Sequence, residues 1–134
     1  MNKRILVIED DKILRRACET SLSKRGFVVL TASNGEEGIR QAENLLPDLI
    51  LLDVRMPKLT GAETLSVLKQ NEKTRLIPVI MLSNYSSESG IQKAETLGAA
   101  GYLVKASISL RELGDRVAEF LSDCSDSGCV DANQ

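Results

Sequence analysis

Short apolar runs alternate with stretches of helical period along most of the sequence, and this alternation constrains the fold more than any other feature. Each run has the length of a strand, and the residues after it repeat their apolar positions every three or four places, as in an amphipathic helix. Five strands are predicted in this way, over residues 4–9, 28–31, 48–53, 78–82 and 101–104.

Helix start and stop signals separate the predicted strands. The first helix is predicted to turn Ile13 and the apolar residues after it towards a core. Asn34 caps the second helix, which ends before Pro47. A fourth helix is predicted over 86–97, and Ser109 begins the last one. The chain is therefore read as five successive strand–helix units.

The third predicted strand identifies the kind of sheet. Its residues 49–52 are all apolar, so both faces of the strand must be covered, as happens in a parallel sheet with helices on either side. Right-handed crossovers then give an open, doubly wound α/β sheet. Such sheets bind ligands beyond the carboxyl ends of their strands, which is where functional residues are expected.

Length and composition fit one domain. The chain has 134 residues, of which 43% are hydrophobic and 27% charged. We assign residues 1–121 to this domain. Residues 122–134 are rich in Ser, Asp and Gly and have little to bury, so they are expected to form a disordered tail or the remnant of a linker.

The composition also excludes several classes of function. The chain has no histidine, which rules out His-based triads, histidine-ligated zinc and a phosphohistidine carrier. A net charge of −2 gives no reason to expect direct binding of nucleic acid or an anionic membrane. The sequence has no run long enough to span a bilayer and no signal-type N-terminus, and its three cysteines form no Cys-x-x-Cys pair, so a cytoplasmic protein with reduced thiols is predicted.

Side chains that carry chemistry stand where the predicted strands end. Glu9 ends the first strand and Asp10 follows it, Asp53 ends the third, Ser83 follows the fourth and Lys105 follows the fifth. If the first and third strands are neighbours, about 4.8 Å apart, their carboxylates face the same small volume. Carboxylate oxygens without histidine or thiolate suit a hard cation, so Mg²⁺ is the predicted cofactor.

This arrangement predicts attack by a carboxylate on a phosphoryl group. Asp53 is the natural nucleophile because it stands alone at the end of a central strand, whereas Glu9 and Asp10 are paired and better suited to hold metal. Mg²⁺ and Lys105 would neutralise charge, although Lys105 is also compatible with a plain salt bridge to Asp53. Ser83 either donates a hydrogen bond to a phosphoryl oxygen or caps the following helix.

With these residues in place, the sequence resembles the bacterial response-regulator receiver domains of two-component systems. The resemblance covers residues 3–121 and implies a flavodoxin-like (βα)5 fold with strand order 2-1-3-4-5. It rests on Ile5-Leu6-Val7-Ile8-Glu9-Asp10-Asp11, on Asp53-Val54-Arg55-Met56-Pro57 with Gly61 after it, on Ser83, and on Gly98-Ala99-Ala100-Gly101-Tyr102-Leu103-Val104-Lys105.

The resemblance implies a role for each matching residue. Asp53 matches the aspartate that is phosphorylated by a histidine kinase or a histidine phosphotransfer protein. Glu9 and Asp10 match the metal-binding pair, and Arg55 matches the position whose backbone carbonyl also binds Mg²⁺. The remaining matches are Lys105 as the phosphate-contacting lysine, Ser83 and Tyr102 as the switch pair, and Arg55 with Tyr85 as the positions that tune dephosphorylation.

The implied output is a phosphorylation-dependent change of surface. The new charge on Asp53 would draw Ser83 and Lys105 towards it and let Tyr102 turn inward, which alters the face formed by the fourth helix, fifth strand and last helix. Partners would read that face, either as a downstream protein target or as a C-terminal effector domain outside this sequence. Dimerisation through the same face is left open.

The sequence departs from the family pattern in three respects. Ala106 stands where the family usually has a proline in a cis bond, and a cis bond without proline costs about 2.5–4 kcal/mol, so this loop is expected to be trans. Asn84 replaces a residue that is often small. Arg55 and Tyr85 are bulky, and we expect them to shield an acyl phosphate and lengthen its lifetime.

Other functions are less consistent with the sequence. An aspartyl phosphatase resembling the haloacid-dehalogenase group needs a second acid two residues after the nucleophile, where this chain has Arg55. A nucleotide-binding domain would need a Gly-x-Gly-x-x-Gly turn or a Walker lysine loop, and neither is present. A phosphorylation-independent interaction module stays as the alternative. The predicted protein is thus a signalling domain that catalyses only its own phosphorylation and dephosphorylation.

Overall fold

The computed structural model describes residues 3–53, 61–83, 96, 98–104 and 109–125, and at Ser83 and 122–125 it describes the backbone alone. The strands are β1 (Arg4–Ile8), β2 (Val28–Ala32), β3 (Leu49–Asp53), β4 (Val79–Ser83) and β5 (Gly101–Val104). The helices in the described ranges are α1 (Lys12–Lys24), α2 (Gly35–Leu45), α3 (Gly61–Gln70) and the C-terminal helix α4 (Leu110–Ser125).

The strands form one parallel sheet in the order β2-β1-β3-β4-β5. This confirms the predicted doubly wound architecture and its strand order. β1 and β3 are neighbours, with Ile8 paired to Leu52, so the chain leaves these two strands at the same height. All five strands end at one border of the sheet, which we call the carboxyl edge.

Apolar side chains cover both faces of the sheet, as the unbroken apolar third strand required. Alternate strand residues such as Ile8, Ile50 and Leu52 pack with α2 and α3 on one face. Their neighbours, including Val7 and Leu51, pack with α1 and α4 on the other face. Because β1 and β3 are buried on both faces, close packing fixes the positions of the residues that follow them at the carboxyl edge.

The helix caps follow the sequence signals. The Asn34 side chain accepts a hydrogen bond from the backbone N–H of Glu37 at 2.8 Å, which satisfies one of the first N–H groups of α2. At α4, the Ser109 hydroxyl oxygen accepts from the N–H of Glu112 at 3.1 Å, and the Glu112 carboxylate accepts from the N–H of Ser109 at 3.1 Å. These reciprocal bonds form a capping box.

Two details differ from the sequence-based expectation. Ile13 is 82% exposed, because the side of α1 that faces the core carries Leu14, Cys18 and Leu22, and Ile13 lies off that side. The apolar positions of the last helix end at Leu121, where the helix was predicted to end, but the helix itself continues to Ser125. Backbone hydrogen bonds can carry a helix beyond its apolar face, so residues 122–125 are helical rather than part of a disordered tail.

The predicted helix over 86–97 lies almost entirely outside the described residues, and 126–134 lie wholly outside them.

No helix in the described part of the chain is both long and apolar enough to cross a membrane.

Candidate functional site

Three carboxylates meet at the carboxyl edge between β1 and β3. Glu9 and Asp10 follow β1, and Asp53 is the last residue of β3. One carboxylate oxygen from each residue lies within 4.8 Å of the others. Glu9 is 1% exposed and Asp53 is 5% exposed, whereas Asp10 opens to solvent. The structure therefore brings together the three acidic residues that the sequence singled out.

The electrostatics of this cluster favour a bound cation. Two unit charges about 4 Å apart repel by about 4 kcal/mol near a protein surface, and burial of Glu9 and Asp53 keeps water from screening them fully. Hard oxygen donors at this spacing fit a small divalent cation such as Mg²⁺, which typically uses one or two carboxylates together with waters and phosphate oxygens. The donor set thus fits the predicted cofactor.

The short connection between β1 and α1 holds the acidic pair in place. The backbone N–H of Glu9 donates to the carbonyl of Ala32, the last residue of β2, at 3.1 Å. The Glu9 carboxylate accepts from the N–H of Asp11 at 3.2 Å. Asp11 in turn caps α1, since its carboxylate accepts from the N–H groups of Ile13 at 2.9 Å and Leu14 at 3.3 Å. Asp11 is therefore a helix cap, whereas Glu9 and Asp10 remain with the acidic cluster.

The sheet register also places the backbone of Ser83 near the site. Asp53 is paired with Leu82 and Ser83 is paired with Val104, so Ser83 lies one residue further along the carboxyl edge than Asp53. Lys105 directly follows Val104, but it lies outside the described residues. Arg55, Asn84, Tyr85 and Ala106 also lie outside them, so the expectations for these positions remain predictions.

Tyr102 lies in the edge strand β5, paired with Met81. It is partly buried and packs against the core cluster that contains Met81 and Ile8. This contact is what an edge-strand tyrosine that covers apolar surface would make. It is also compatible with a side chain that can turn, so the proposed switching role of Tyr102 stays a prediction.

The first turn of α2 carries a carboxylate, that of Glu37, held by hydrogen bonds from Ser33 before the helix. The Glu37 carboxylate accepts from the backbone N–H of Ser33 at 2.7 Å and from its hydroxyl at 2.8 Å. These hydrogen bonds hold the pKa of Glu37 below its ordinary value, slight burial opposes them, and the charges of Arg15 and Arg40 assist them.

The sequence offered Arg15 and Arg16 as part of a docking face or of a solvated basic face, and it did not indicate a contact between Arg15 and the acidic cluster. Arg15 lies in the first turns of α1, and its guanidinium donates to the backbone carbonyl of Glu9 at 2.9 Å. The separation of six residues between Glu9 and Arg15 does not by itself predict this hydrogen bond, because a surface arginine on a helix more often points to solvent.

Fold and edge chemistry together define a class: an open, doubly wound α/β domain with a buried acidic cluster that can bind a hard cation at its carboxyl edge. Comparisons with known proteins identify the family. Residues 5–118 match the family model described as "Response regulator receiver domain". The chain belongs to this family and is a receiver domain of two-component response regulators.

Individual relatives agree with the family assignment. The alkaline phosphatase synthesis transcriptional regulatory protein PhoP of Bacillus subtilis is 39% identical over 121 residues, which cover 90% of this chain and 49% of PhoP. Protein PilG of Pseudomonas aeruginosa is 35% identical over 102 residues, 76% of each chain. The chain spans about half the length of PhoP and of a second relative, the probable transcriptional regulator ycf27 of Guillardia theta, of which it covers 54%.

Solved structures agree as well. The chemotaxis protein CheY4 of Vibrio cholerae superposes with a TM-score of 0.84 at 27% identity, covering 89% of this chain and 98% of CheY4. A CheY-like receiver domain protein from Methanospirillum hungatei gives the same TM-score and identity over 92% of this chain and 96% of its own.

Proposed function

We propose that this domain is a Mg²⁺-dependent phosphoacceptor and that Asp53 receives the phosphoryl group. The observation that carries the proposal is the convergence of Glu9, Asp10 and Asp53 within 4.8 Å at the carboxyl edge. Of the three, Asp53 alone is itself the last residue of a strand, whereas Glu9 and Asp10 come after the end of β1. Glu9 and Asp10 then remain available to hold the metal.

The metal is assigned to the oxygens of Glu9, Asp10 and Asp53 together with the backbone carbonyl of Arg55. When bound, Mg²⁺ neutralises the negative charge that builds up on the phosphoryl oxygens during transfer. The carboxylates supply the anionic oxygens that such an ion prefers. Removal of the ion leaves the acidic cluster repelling an incoming phosphoryl group.

Transfer begins from a phosphohistidine on a histidine kinase or histidine phosphotransfer protein. A carboxylate oxygen of Asp53 attacks phosphorus, an O–P bond forms, and the P–N bond to the imidazole breaks. The departing imidazole takes up a proton from solvent. Lys105 pairs with the phosphoryl oxygens and the Ser83 hydroxyl donates to one of them, so this chain contributes positioning and charge while the donor supplies the reactive bond.

The phosphorylated state is read through a change of surface. The movement of Ser83 and Lys105 towards the phosphoryl group makes room for Tyr102, which turns inward from the sheet edge. Tyr102 lies beside the groove between β5 and α4 that Arg116 and Phe120 also line, so its movement alters the surface there. A downstream protein or an effector domain that binds this face would distinguish the two states. The domain turns over no separate substrate and catalyses only its own phosphorylation and dephosphorylation.

The donor protein is proposed to dock beside α1. Ile13 is 82% exposed and Leu110 is 38% exposed, and both line an open groove of about 910 Å³ between α1 and α4 that Arg16 also lines. An Ile13→Ser variant should slow transfer from a histidine kinase that labels the wild-type chain and leave labelling by acetyl phosphate unchanged. Equal transfer from the kinase to both chains would remove this groove from the docking surface.

Arg55 and Tyr85 are proposed to shield the acyl phosphate from water. Replacement of either by alanine should shorten the lifetime of the phosphorylated chain after acetyl phosphate is removed. A wild-type lifetime of only seconds, or alanine variants that decay no faster, would contradict this part of the proposal.

Intact mass spectrometry after incubation with acetyl phosphate and Mg²⁺ tests the proposal as a whole. We expect one phosphoryl adduct on the wild-type chain, and none on Asp53→Asn or in the presence of EDTA. A folded chain that binds Mg²⁺ but accepts no phosphoryl group would favour the alternative, an interaction module that works without phosphorylation.

A further inference from the structure

The contact between Arg15 and Glu9 links α1 to the acidic cluster. The Arg15 guanidinium donates to the carbonyl of Glu9 at 2.9 Å, and the bond is partly buried. Arg15 is itself tied to the start of α1, because its backbone N–H donates to the carbonyl of Asp11 at 2.8 Å. The side chain therefore reaches back from the helix to the residue that leaves β1.

Glu9 is held by its backbone on two sides. Its N–H donates to the carbonyl of Ala32 at 3.1 Å, and its carbonyl accepts from Arg15. The first bond ties the residue to the sheet and the second ties it to α1. The backbone of Glu9 is thus fixed at both ends, and its buried carboxylate accepts from the N–H of Asp11 at 3.2 Å, so the side chain is held where it converges with Asp10 and Asp53.

We propose that Arg15 is a positioning residue for the cation site: by fixing the backbone of Glu9, it keeps the acidic cluster in the arrangement that binds a divalent cation. This inference deepens the proposed function and rests on it. Its effect on metal affinity is exerted through Glu9, not through the phosphoacceptor Asp53.

Charge alone would act in the opposite direction. Arg15 carries a positive charge close to a site that is to receive a second cation, so its removal would strengthen metal binding if electrostatic repulsion dominated. Its charge also acts on Glu37, which faces it from α2 together with Arg40. The two effects predict opposite changes in metal affinity when Arg15 is replaced, and the partly buried bond to Glu9 is the basis for expecting weaker binding.

The neighbouring arginine supplies a matched control. Arg16 also lies in α1, is exposed, and lines the groove on the side of α4. Arg15→Gln and Arg16→Gln remove the same charge from adjacent positions, but only the first removes the bond to Glu9. A difference in metal affinity between the two variants therefore reflects loss of the bond to Glu9 and not the change in net charge.

The experiment measures binding of Mn²⁺, a hard divalent cation whose free concentration is read from its electron paramagnetic resonance signal, without any phosphodonor. We expect Arg15→Gln to weaken binding about tenfold, as loss of an outer hydrogen bond at a metal site commonly does, and Arg16→Gln to bind as the wild type does. Unfolding in urea with EDTA checks that each variant is folded. Arg15→Lys, which keeps the charge and an N–H donor for the Glu9 carbonyl, is the second variant and should weaken binding less than Arg15→Gln does.

Each outcome is decisive. Unchanged affinity in both Arg15 variants would overturn the positioning role, and tighter binding in Arg15→Gln would show that charge repulsion dominates. Equal weakening in the Arg15 and Arg16 glutamine variants would also overturn it. A wild-type chain that binds no Mn²⁺ would contradict the proposed metal site itself, which separates failure of the proposed function from failure of this inference.

Discussion

The carboxylates of Glu9 and Asp53 lie within 4.8 Å of each other although the two residues are only 1% and 5% exposed. The pairing of Ile8 with Leu52 produces this proximity, because the next residue of each chain segment emerges at the same height. Parallel pairing of two buried strands thus determines where the site lies, and the acidic residues determine what it can bind.

Mg²⁺ should stabilise the folded chain. A ligand that binds only the native state adds about 2.7 kcal/mol of stability when its concentration is 100 times its Kd. Asp10→Asn removes one anionic oxygen from the cluster, so the stabilisation by Mg²⁺ should shrink, while the stability in EDTA should not fall because repulsion is relieved. Urea unfolding with Mg²⁺ and with EDTA measures both effects.

The control for this prediction is Glu19→Gln, which removes an exposed carboxylate of α1 that is not part of the cluster. It should leave the effect of Mg²⁺ unchanged. A variant at Asp10 that is stabilised by Mg²⁺ as much as the wild type would argue against a role for this residue in metal binding.

Asp11 should contribute to stability as a helix cap. Its carboxylate accepts from two backbone N–H groups at the start of α1, so Asp11→Ala is expected to cost about 0.5–2 kcal/mol of unfolding free energy. Asp11→Asn retains an acceptor oxygen and should cost less. Urea denaturation measures the stability of both variants and of the wild type. An Asp11→Ala variant as stable as the wild type would mean that the cap contributes nothing.

Glu37 should make stability depend on pH in the acid range. Hydrogen bonds from Ser33 hold the pKa of Glu37 below its ordinary value of 4.5, so the folded state binds fewer protons than the unfolded state. The resulting stabilisation is present above pH 4.5 and is lost as the pH falls through the lower, folded-state pKa. Glu37→Gln should therefore be less stable than the wild type at neutral pH, and the difference should shrink towards acid.

Glu36→Gln is the matched control for this pH dependence, since Glu36 precedes Glu37 in the same helical turn and is exposed. Its stability relative to the wild type should change less between pH 7 and the acid range. A gap between wild type and Glu37→Gln that stays constant with pH would contradict the assignment.

Two glycines should respond differently to alanine. A Cβ at Gly38 would lie 2.7 Å from Cγ1 of Ile8, a core side chain next to Glu9, so Gly38→Ala should destabilise the fold by about 1–3 kcal/mol. A Cβ at Gly114 would instead meet the flexible side chain of Arg25, which can move. Its displacement would loosen the exposed contact with Asp115, and the gain in helix propensity offsets that loss, so Gly114→Ala should stay within about 1 kcal/mol of the wild type.

Thermal or urea unfolding of the two variants provides the comparison. If both lose the same stability, the close packing of α2 on β1 is not the reason for glycine at position 38.

The sequence was informative where periodicity decides the structure. Apolar runs located all five strands to within one residue at each end, and Asn34 and Ser109 marked helix starts correctly. The acidic cluster was also predictable, because parallel strands place their carboxyl ends at one edge.

Features that depend on where a helix lies against the sheet were not predictable. Ile13 was assigned to the apolar face of α1, yet it is exposed, whereas Leu14 beside it packs against the core. The bond from Arg15 to Glu9 requires the rotamer and the approach of the helix, neither of which is encoded in spacing. The extension of α4 to Ser125 likewise has no apolar signal, since backbone hydrogen bonds carry it.

The most direct test of the central claim locates the phosphoryl group. The chain is incubated with acetyl phosphate and Mg²⁺ and reduced with borohydride, which converts a phosphorylated aspartate to homoserine, and the peptides are then mapped by mass spectrometry. We expect homoserine at position 53, and none there when EDTA is present. Homoserine at Asp10 or Asp11 with Asp53 unmodified would contradict the central claim.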